Sequence, residues 1–359
     1  MLLADSHLDL GYSAMRFNRD LRKPVAEIRQ REIDAESAFK GAGRNTVSLP
    51  AMRDAHVALC FATVCSRITL PGNNRPNDWR SSGQAFAAGM AHASYYSVLE
   101  DEGWMRRIDD VAALDQHLAE WAAWEKSPDA PAPPAGYVLS IEGADPIVGP
   151  WQVEEWRERG LRIASLVHYG FNLYSHGTGT EGGVLPAGRD LLLEMDRLGI
   201  LLDVTHLAEP AFWEAVDIYG GPLLATHNNC RALVPGDRQF SDDQLRLLFE
   251  RGAVIGVAMD DWMLRPGWTE TPGSNELVSM EDVVDHIDHI CQQAGNSLHA
   301  AIGSDLDGGY GTEQTPGDLD TIVDLQKIPG ILRRRGYAEA DVENVMHRNW
   351  TRFLREAWA

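Results

Sequence analysis

Short runs rich in valine, isoleucine and leucine recur along the chain, separated by longer stretches whose apolar residues return every three or four positions. The short runs predict strands at residues 2–8, 56–64, 137–141, 162–167, 201–205, 222–226, 253–258 and 300–303. The longer stretches predict helices at 83–100, 111–125, 150–159, 188–198, 209–218, 242–250, 279–294 and 318–335. Start and stop signals agree with these limits. Ser241 and Ser279 stand as N-caps before acidic first turns, and Gly160, Gly199, Gly252 and Gly336 lie where helices should end. Roughly eight strand–helix pairs without an antiparallel block predict an α/β chain folded as one (β/α)8 barrel over residues 1–359. A doubly wound open sheet is the alternative, but no glycine-rich phosphate turn follows the first strand. Residues 127–136 read as a surface loop, and 73–82 and 268–279 as further loops able to act as lids.

Composition narrows the partners. With 44% hydrophobic and 24% charged residues, the chain can bury a large core. Its formal charge of -21 opposes binding to nucleic acid or to an anionic membrane, since phosphates would be repelled. Only four cysteines occur (Cys60, Cys65, Cys230, Cys291), with no CxxC pair, which suits reduced thiols. No basic, apolar leader opens the sequence, and charged residues interrupt every candidate membrane span. A soluble, cytoplasmic protein is expected.

A barrel of this kind carries its chemistry at the carboxyl ends of its strands. His7 and Asp9 follow the first predicted strand, Glu142 the third, His168 the fourth, His206 the fifth, His227 the sixth and Asp305 the eighth. One histidine at a strand end is ordinarily a core or loop residue. Seven such residues at six strand ends point to a shared site. Alternation along a strand would turn His7 and Asp9 the same way, toward one metal ion. Imidazoles and carboxylates without a cysteine pair suit catalytic Zn²⁺. Two zinc ions with three neutral imidazoles, two carboxylates and a hydroxide carry about +1, a suitable charge for a Lewis acid. The ligand shared by two ions has to be anionic. None of the four lysines (Lys23, Lys40, Lys126, Lys327) falls at a predicted strand end, whereas Glu142 does. Asp305 is placed to take a proton from the attacking water and hand it to a leaving amine. His168 is placed to stabilise an oxyanion. Asp307 reads as a turn residue, and His176 as part of a surface loop.

The segments Asp5-Ser6-His7-Leu8-Asp9, Ser140-Ile141-Glu142-Gly143, Leu166-Val167-His168-Tyr169 and residues 188–206 resemble the renal (membrane) dipeptidase family of zinc peptidases in the amidohydrolase superfamily. So do Ala225-Thr226-His227-Asn228-Asn229-Cys230-Arg231, Asp237-Arg238 and Gly303-Ser304-Asp305-Leu306-Asp307-Gly308, and the similarity runs along nearly the whole chain. The resemblance implies two Zn²⁺ per subunit: one on His7, Asp9 and Glu142, the other on Glu142, His206 and His227. It further implies His168 at the scissile carbonyl or intermediate, Asp305 as the acid/base group, and Arg238 on the substrate carboxylate, with Arg231 as its competitor. The implied reaction is dipeptide hydrolysis by a bridging hydroxide, with tolerance of a D-residue at the C-terminal position. A homodimer is implied as well.

One segment departs from the family pattern. Ala258-Met259-Asp260-Asp261-Trp262-Met263-Leu264 replaces an asparagine- and aromatic-rich stretch. Asp260 and Asp261 would there suit a cationic or polar side chain, or simply form a solvated loop. Two other functions fit the same ligand set: an amide or lactone hydrolase of another specificity, and a non-catalytic metal-binding barrel in a biosynthetic pathway.

Overall fold

Each predicted apolar run is a strand in the computed structural model, which describes residues 1–69, 78–127 and 131–359. The strands are β1 (Leu3–Leu8), β2 (Val57–Cys65), β3 (Met105–Arg107), β4 (Ala135–Glu142), β5 (Leu161–Ser165), β6 (Leu201–Asp203), β7 (Leu223–Leu224), β8 (Ile255–Val257) and β9 (Ala300–Ile302). They pair in the order β7-β6-β5-β4-β2-β1-β9-β8, every pair parallel, with β3 a short addition beside β4. A bridge between Ala225 and Ile255 joins the two ends of that order. It is reinforced by Ala225 N donating to Val254 O at 3.0 Å and Gly256 N to Ala225 O at 2.9 Å. The result is the expected (β/α)8 barrel. Its strands are buried on both faces, which is why they read as continuous apolar runs without alternation.

Helices cover the outside with the predicted faces. Met280–Ala294 turns Val283, Val284, Ile287, Ile290 and Cys291 inward, three or four residues apart. At Asp242–Glu250 the cap is reciprocal: Gln244 N donates to Ser241 Oγ at 3.3 Å while Ser241 N donates to Gln244 Oε1 at 2.9 Å. The predicted helix at 318–335 divides into a tight turn, Ile322–Lys327, and the helix Ile328–Arg334, because Pro329 suits only a first turn. The pattern did not predict β3, the helices Leu10–Phe17, Val25–Asp34 and Leu49–Asp54 between β1 and β2, or the closing helix Asn349–Trp358. In the loops predicted at 73–82 and 127–136, residues 73–77 and 128–130 lie outside the described residues.

The barrel interior is layered. At its amino end Ala4, Phe61, Val138, Ile163, Leu201, Leu224 and Ala301 form one cluster with Trp350, Phe353 and Leu354 of the last helix. Trp350 stands edge-on to Phe61 at 5.0 Å, and its Nε1 donates to Ile302 O at 2.9 Å. Above this cluster the barrel narrows to a waist. Ser6 Oγ donates to Thr226 O at 2.5 Å, and a Cβ on Gly303 would lie 1.8 Å from that same oxygen. Only glycine fits there. The carboxyl ends of the strands open above the waist.

Candidate active site

All seven predicted strand-end residues meet at this mouth. Glu142 is the hub: its Oε1 lies 3.2 Å from His206 Nε2, 3.2 Å from His227 Nε2 and 3.4 Å from His168 Nε2. Its Oε2 lies 3.9 Å from His7 Nε2. That nitrogen is also 3.8 Å from Asp9 Oδ2 and 3.8 Å from Asp305 Oδ1. The strand rationale for His7 and Asp9 needs correction, since β1 ends at Leu8 and Asp9 stands just before the helix Leu10–Phe17, its side chain making no capping hydrogen bond. The two side chains converge across a strand–helix junction. Two of the seven sit on strained backbone, His206 at φ 69° and Asp305 at φ 57°.

These residues fit a metal ion. Neither ring nitrogen of His7 has a hydrogen-bond partner among the described residues, nor has Asp9 Oδ1, although all are buried. Buried polar atoms are rarely left so. Separations of 3.8–3.9 Å are too long for hydrogen bonds, but two donors each about 2.1 Å from one ion lie at most about 4.2 Å apart. The donor atoms of His7, Glu142 and His227 all lie within 4.8 Å of one another, as do those of His7, Asp9 and Asp305.

Electrostatics point the same way. Burial pulls the His7 imidazole down, but Glu142, Asp9 and Asp305 outweigh it and lift the pKa to about 10. Burial opposes ionisation of Glu142, yet His168 and His7 hold it well below the usual carboxylate range. Asp305 is pushed well above that range by burial, then by Glu142 and Asp9, despite the opposing pull of His7. His206 and His227 are held well below the ordinary imidazole value, first by burial and then by Arg238 and His7 respectively. The buried carboxylates of the mouth favour positive charge, which they draw onto His7, while His206 and His227 are held neutral.

Neighbouring hydroxyls set the ring orientations. Thr226 Oγ1 donates to Asp203 Oδ2 at 2.7 Å, so at 2.9 Å it accepts from His227 Nδ1. Thr178 Oγ1 donates to His206 O at 3.4 Å and accepts from His206 Nδ1 at 3.0 Å. Both rings therefore turn an Nε2 lone pair toward Glu142, the tautomer a metal ligand needs.

A cleft of about 430 Å³ opens over these groups. Arg238 is buried in its wall, Nη1 donating to Asn228 Oδ1 at 2.6 Å and Nη2 to His227 O at 2.8 Å, with Nε unpartnered among the described residues. Its competitor Arg231 faces outward, bound to Glu209 at 2.7 Å and to backbone carbonyls.

A family model described as membrane dipeptidase (peptidase family M19) matches residues 1–359. The chain belongs to the membrane dipeptidase family. The dipeptidase tcpJ of Claviceps purpurea is 31% identical over 204 residues, which cover 55% of this chain and 45% of that one. A solved metallopeptidase, dipeptidase AC, superposes with a TM-score of 0.79 at 25% identity, over 100% of this chain and 99% of its own. A metallopeptidase from Rhodobacter sphaeroides, liganded with a phosphinate mimic of L-Ala-D-Ala, has the same fold at a TM-score of 0.76 and 23% identity, again over 100% and 99%.

Within this dipeptidase mouth several residues escaped sequence reasoning. Cys65, Arg67, Tyr12, Tyr169, Gln314 and Tyr310 also line the cleft. Cys65 ends β2, one of two barrel strands that contributed none of the seven candidates, so the strand-end rule applied to every strand would have found it. Asp260 and Asp261 are buried, which corrects the solvated-loop reading. Asp260 lines the cleft, accepting from Trp262 Nε1 at 2.6 Å and Gln314 Nε2 at 2.8 Å, and burial pushes it up to about 6. Asp307 does more than turn the chain. It is buried and accepts from Thr46 N at 2.7 Å, Thr46 Oγ1 at 2.9 Å and Val47 N at 3.1 Å. His176 packs on Phe171 at 5.6 Å and is not part of the cleft wall.

Proposed function

We propose that this cleft hydrolyses dipeptides with two zinc ions, one held by His7, Asp9 and Glu142 and the other by Glu142, His206 and His227. The observation that carries the reading is Glu142, a single buried carboxylate within 3.9 Å of four imidazoles. Bound there, the ions supply Lewis acidity and make a water nucleophilic near neutral pH. Arg238, pinned by Asn228 and His227, grips the substrate's free carboxylate. His168 faces the scissile carbonyl oxygen as a hydrogen-bond donor. Asp305 takes a proton from the attacking water on a carboxylate oxygen and returns it to the leaving amine. Asp260, at one wall, favours a substrate with a cationic side chain. Four unpaired, buried thiols are in keeping with a cytoplasmic protein, and the family resemblance supports a homodimer.

The test is a screen of L,L- and L,D-dipeptides with zinc-loaded enzyme, repeated with Arg238→Lys and with C-terminally amidated substrates. Hydrolysis of free dipeptides is expected. Arg238→Lys should raise KM about tenfold on these, through loss of the bidentate grip, and leave the amides unaffected. No turnover of any dipeptide sinks the reading. An Arg238→Lys effect that is the same on amides favours another amide hydrolase.

A further inference from the structure

Three imidazoles face Glu142 Oε1, and what touches their Nδ1 atoms divides them. His206 and His227 meet threonine hydroxyls that accept, as described above. His168 meets a guanidinium: Arg67 Nη1 lies 2.8 Å from His168 Nδ1. A guanidinium has donors only. His168 Nδ1 therefore bears the lone pair and the ring proton is on Nε2, the atom 3.4 Å from Glu142 Oε1 at the cleft.

The contact is built into the fold. Arg67 is partly buried, its Nη2 paired with Asp78 at 3.3 Å, and its carbonyl accepts from Trp79 N at 2.8 Å. Buried Asp145 joins the two loops concerned: its Oδ1 accepts from Ile68 N at 3.0 Å, its Oδ2 from Asn172 Nδ2 at 2.9 Å. The residue next to Arg67 and the turn after His168 are thus held on one carboxylate. On its other side the His168 ring stands edge-on to His206 at 4.3 Å. The ring has a fixed place as well as a fixed tautomer.

We propose that Arg67 is a positioning residue that keeps His168 in the Nε2–H tautomer and so makes it a hydrogen-bond donor toward the scissile carbonyl. The role of the carbonyl rests on the dipeptidase reading above; the tautomer does not. The opposite tautomer would turn a lone pair toward the developing oxyanion, which repels where stabilisation is needed. Around one carboxylate, threonine thus selects imidazoles that accept a cation, and arginine selects one that donates a hydrogen bond.

The test combines a spectroscopic readout with kinetics. Protein labelled with ¹⁵N in its histidine rings is compared as wild type, Arg67→Met and Arg67→Lys, with the His168 signals assigned from their loss in His168→Ala. Wild type and Arg67→Lys should show an unprotonated Nδ1 and a protonated Nε2, while Arg67→Met loses that preference. With zinc content unchanged, Arg67→Met should lower kcat on a dipeptide at least tenfold and leave KM within twofold. Combined with His168→Ala, it should add no further loss. A wild-type His168 protonated on Nδ1, a tautomer unchanged in Arg67→Met, or losses that multiply in the double variant would each overturn the assignment. Should Arg67→Met not fold, the wild-type and Arg67→Lys spectra still decide it. A wild type inactive on every dipeptide would remove the catalytic reading and leave the tautomer to the spectra.

Discussion

The two ends of the barrel are made from the same strands and solve opposite problems. At the amino end, Phe61, Val138, Ile163 and Leu201 pack on Trp350 and Phe353, and the indole nitrogen there has its acceptor. At the carboxyl end, imidazoles and carboxylates are buried with atoms unpartnered among the described residues, on backbone that is left-handed at His206 and Asp305. The first end gains free energy by excluding water. The second gives up free energy to hold a charge pattern that only a cation or a substrate completes. Stability and chemistry are thus separated along the barrel axis, and variants at the two ends should fail differently.

The largest difference is expected for His7→Ala. Metal content should fall, and kcat/KM with it by about 10³-fold, the several kcal/mol that a Lewis acid supplies. The melting temperature of the metal-free protein should hardly move; elemental analysis, kinetics and thermal melts read the three effects. At the other end, Trp350→Ala should cost about 3–5 kcal/mol in a urea titration through the cavity it leaves. The folded fraction should keep kcat/KM within about twofold, since separated sites act independently. A large kinetic loss in Trp350→Ala would mean that the two ends are coupled.

Thr226→Val sharpens the contrast at the mouth. It keeps the shape, removes the bond to Asp203 and frees the His227 ring, so chelator competition should show metal affinity weakened about 10–100-fold. The smallest effect concerns pH. Asp261 is buried without a hydrogen-bond partner among the described residues; burial, then Asp260 and Asp282, push it up to about 8. A carboxyl raised from 3.8 in this way holds its proton in the folded state. Its contribution to stability is fully present below about pH 4 and is lost as pH rises through 8. Wild-type melting temperatures should fall between pH 5 and 8.5, by about 2 °C for each kcal/mol involved. Asp261→Asn should flatten that curve, and parallel curves would show that Asp261 does not titrate there.

Much of this division can be read along the chain. The apolar runs of β2 and β4 announce buried parallel strands, and a polar residue ending such a run announces the mouth, as with Glu142 after Ile141. The helices between residues 10 and 54 were not legible, being short and held by contacts distant in sequence, such as Asp307 on Thr46. Side-chain chemistry was legible by type and not by state. Whether an imidazole donates or accepts depends on Thr178 for His206, 28 residues away, and on Arg67 for His168, 101 residues away. Asp260 and Asp261 looked like loop residues because two adjacent carboxylates usually seek water; the short helix Asp261–Leu264 turns them inward.

The waist where Ser6 meets Thr226 and only glycine fits at residue 303 closes the barrel axis beneath the cluster. Ions, substrate and both product amino acids then share the door above it. A molecule seated in that door is also a stopper, so the enzyme at work should surrender its metal to a chelator more slowly than the enzyme at rest.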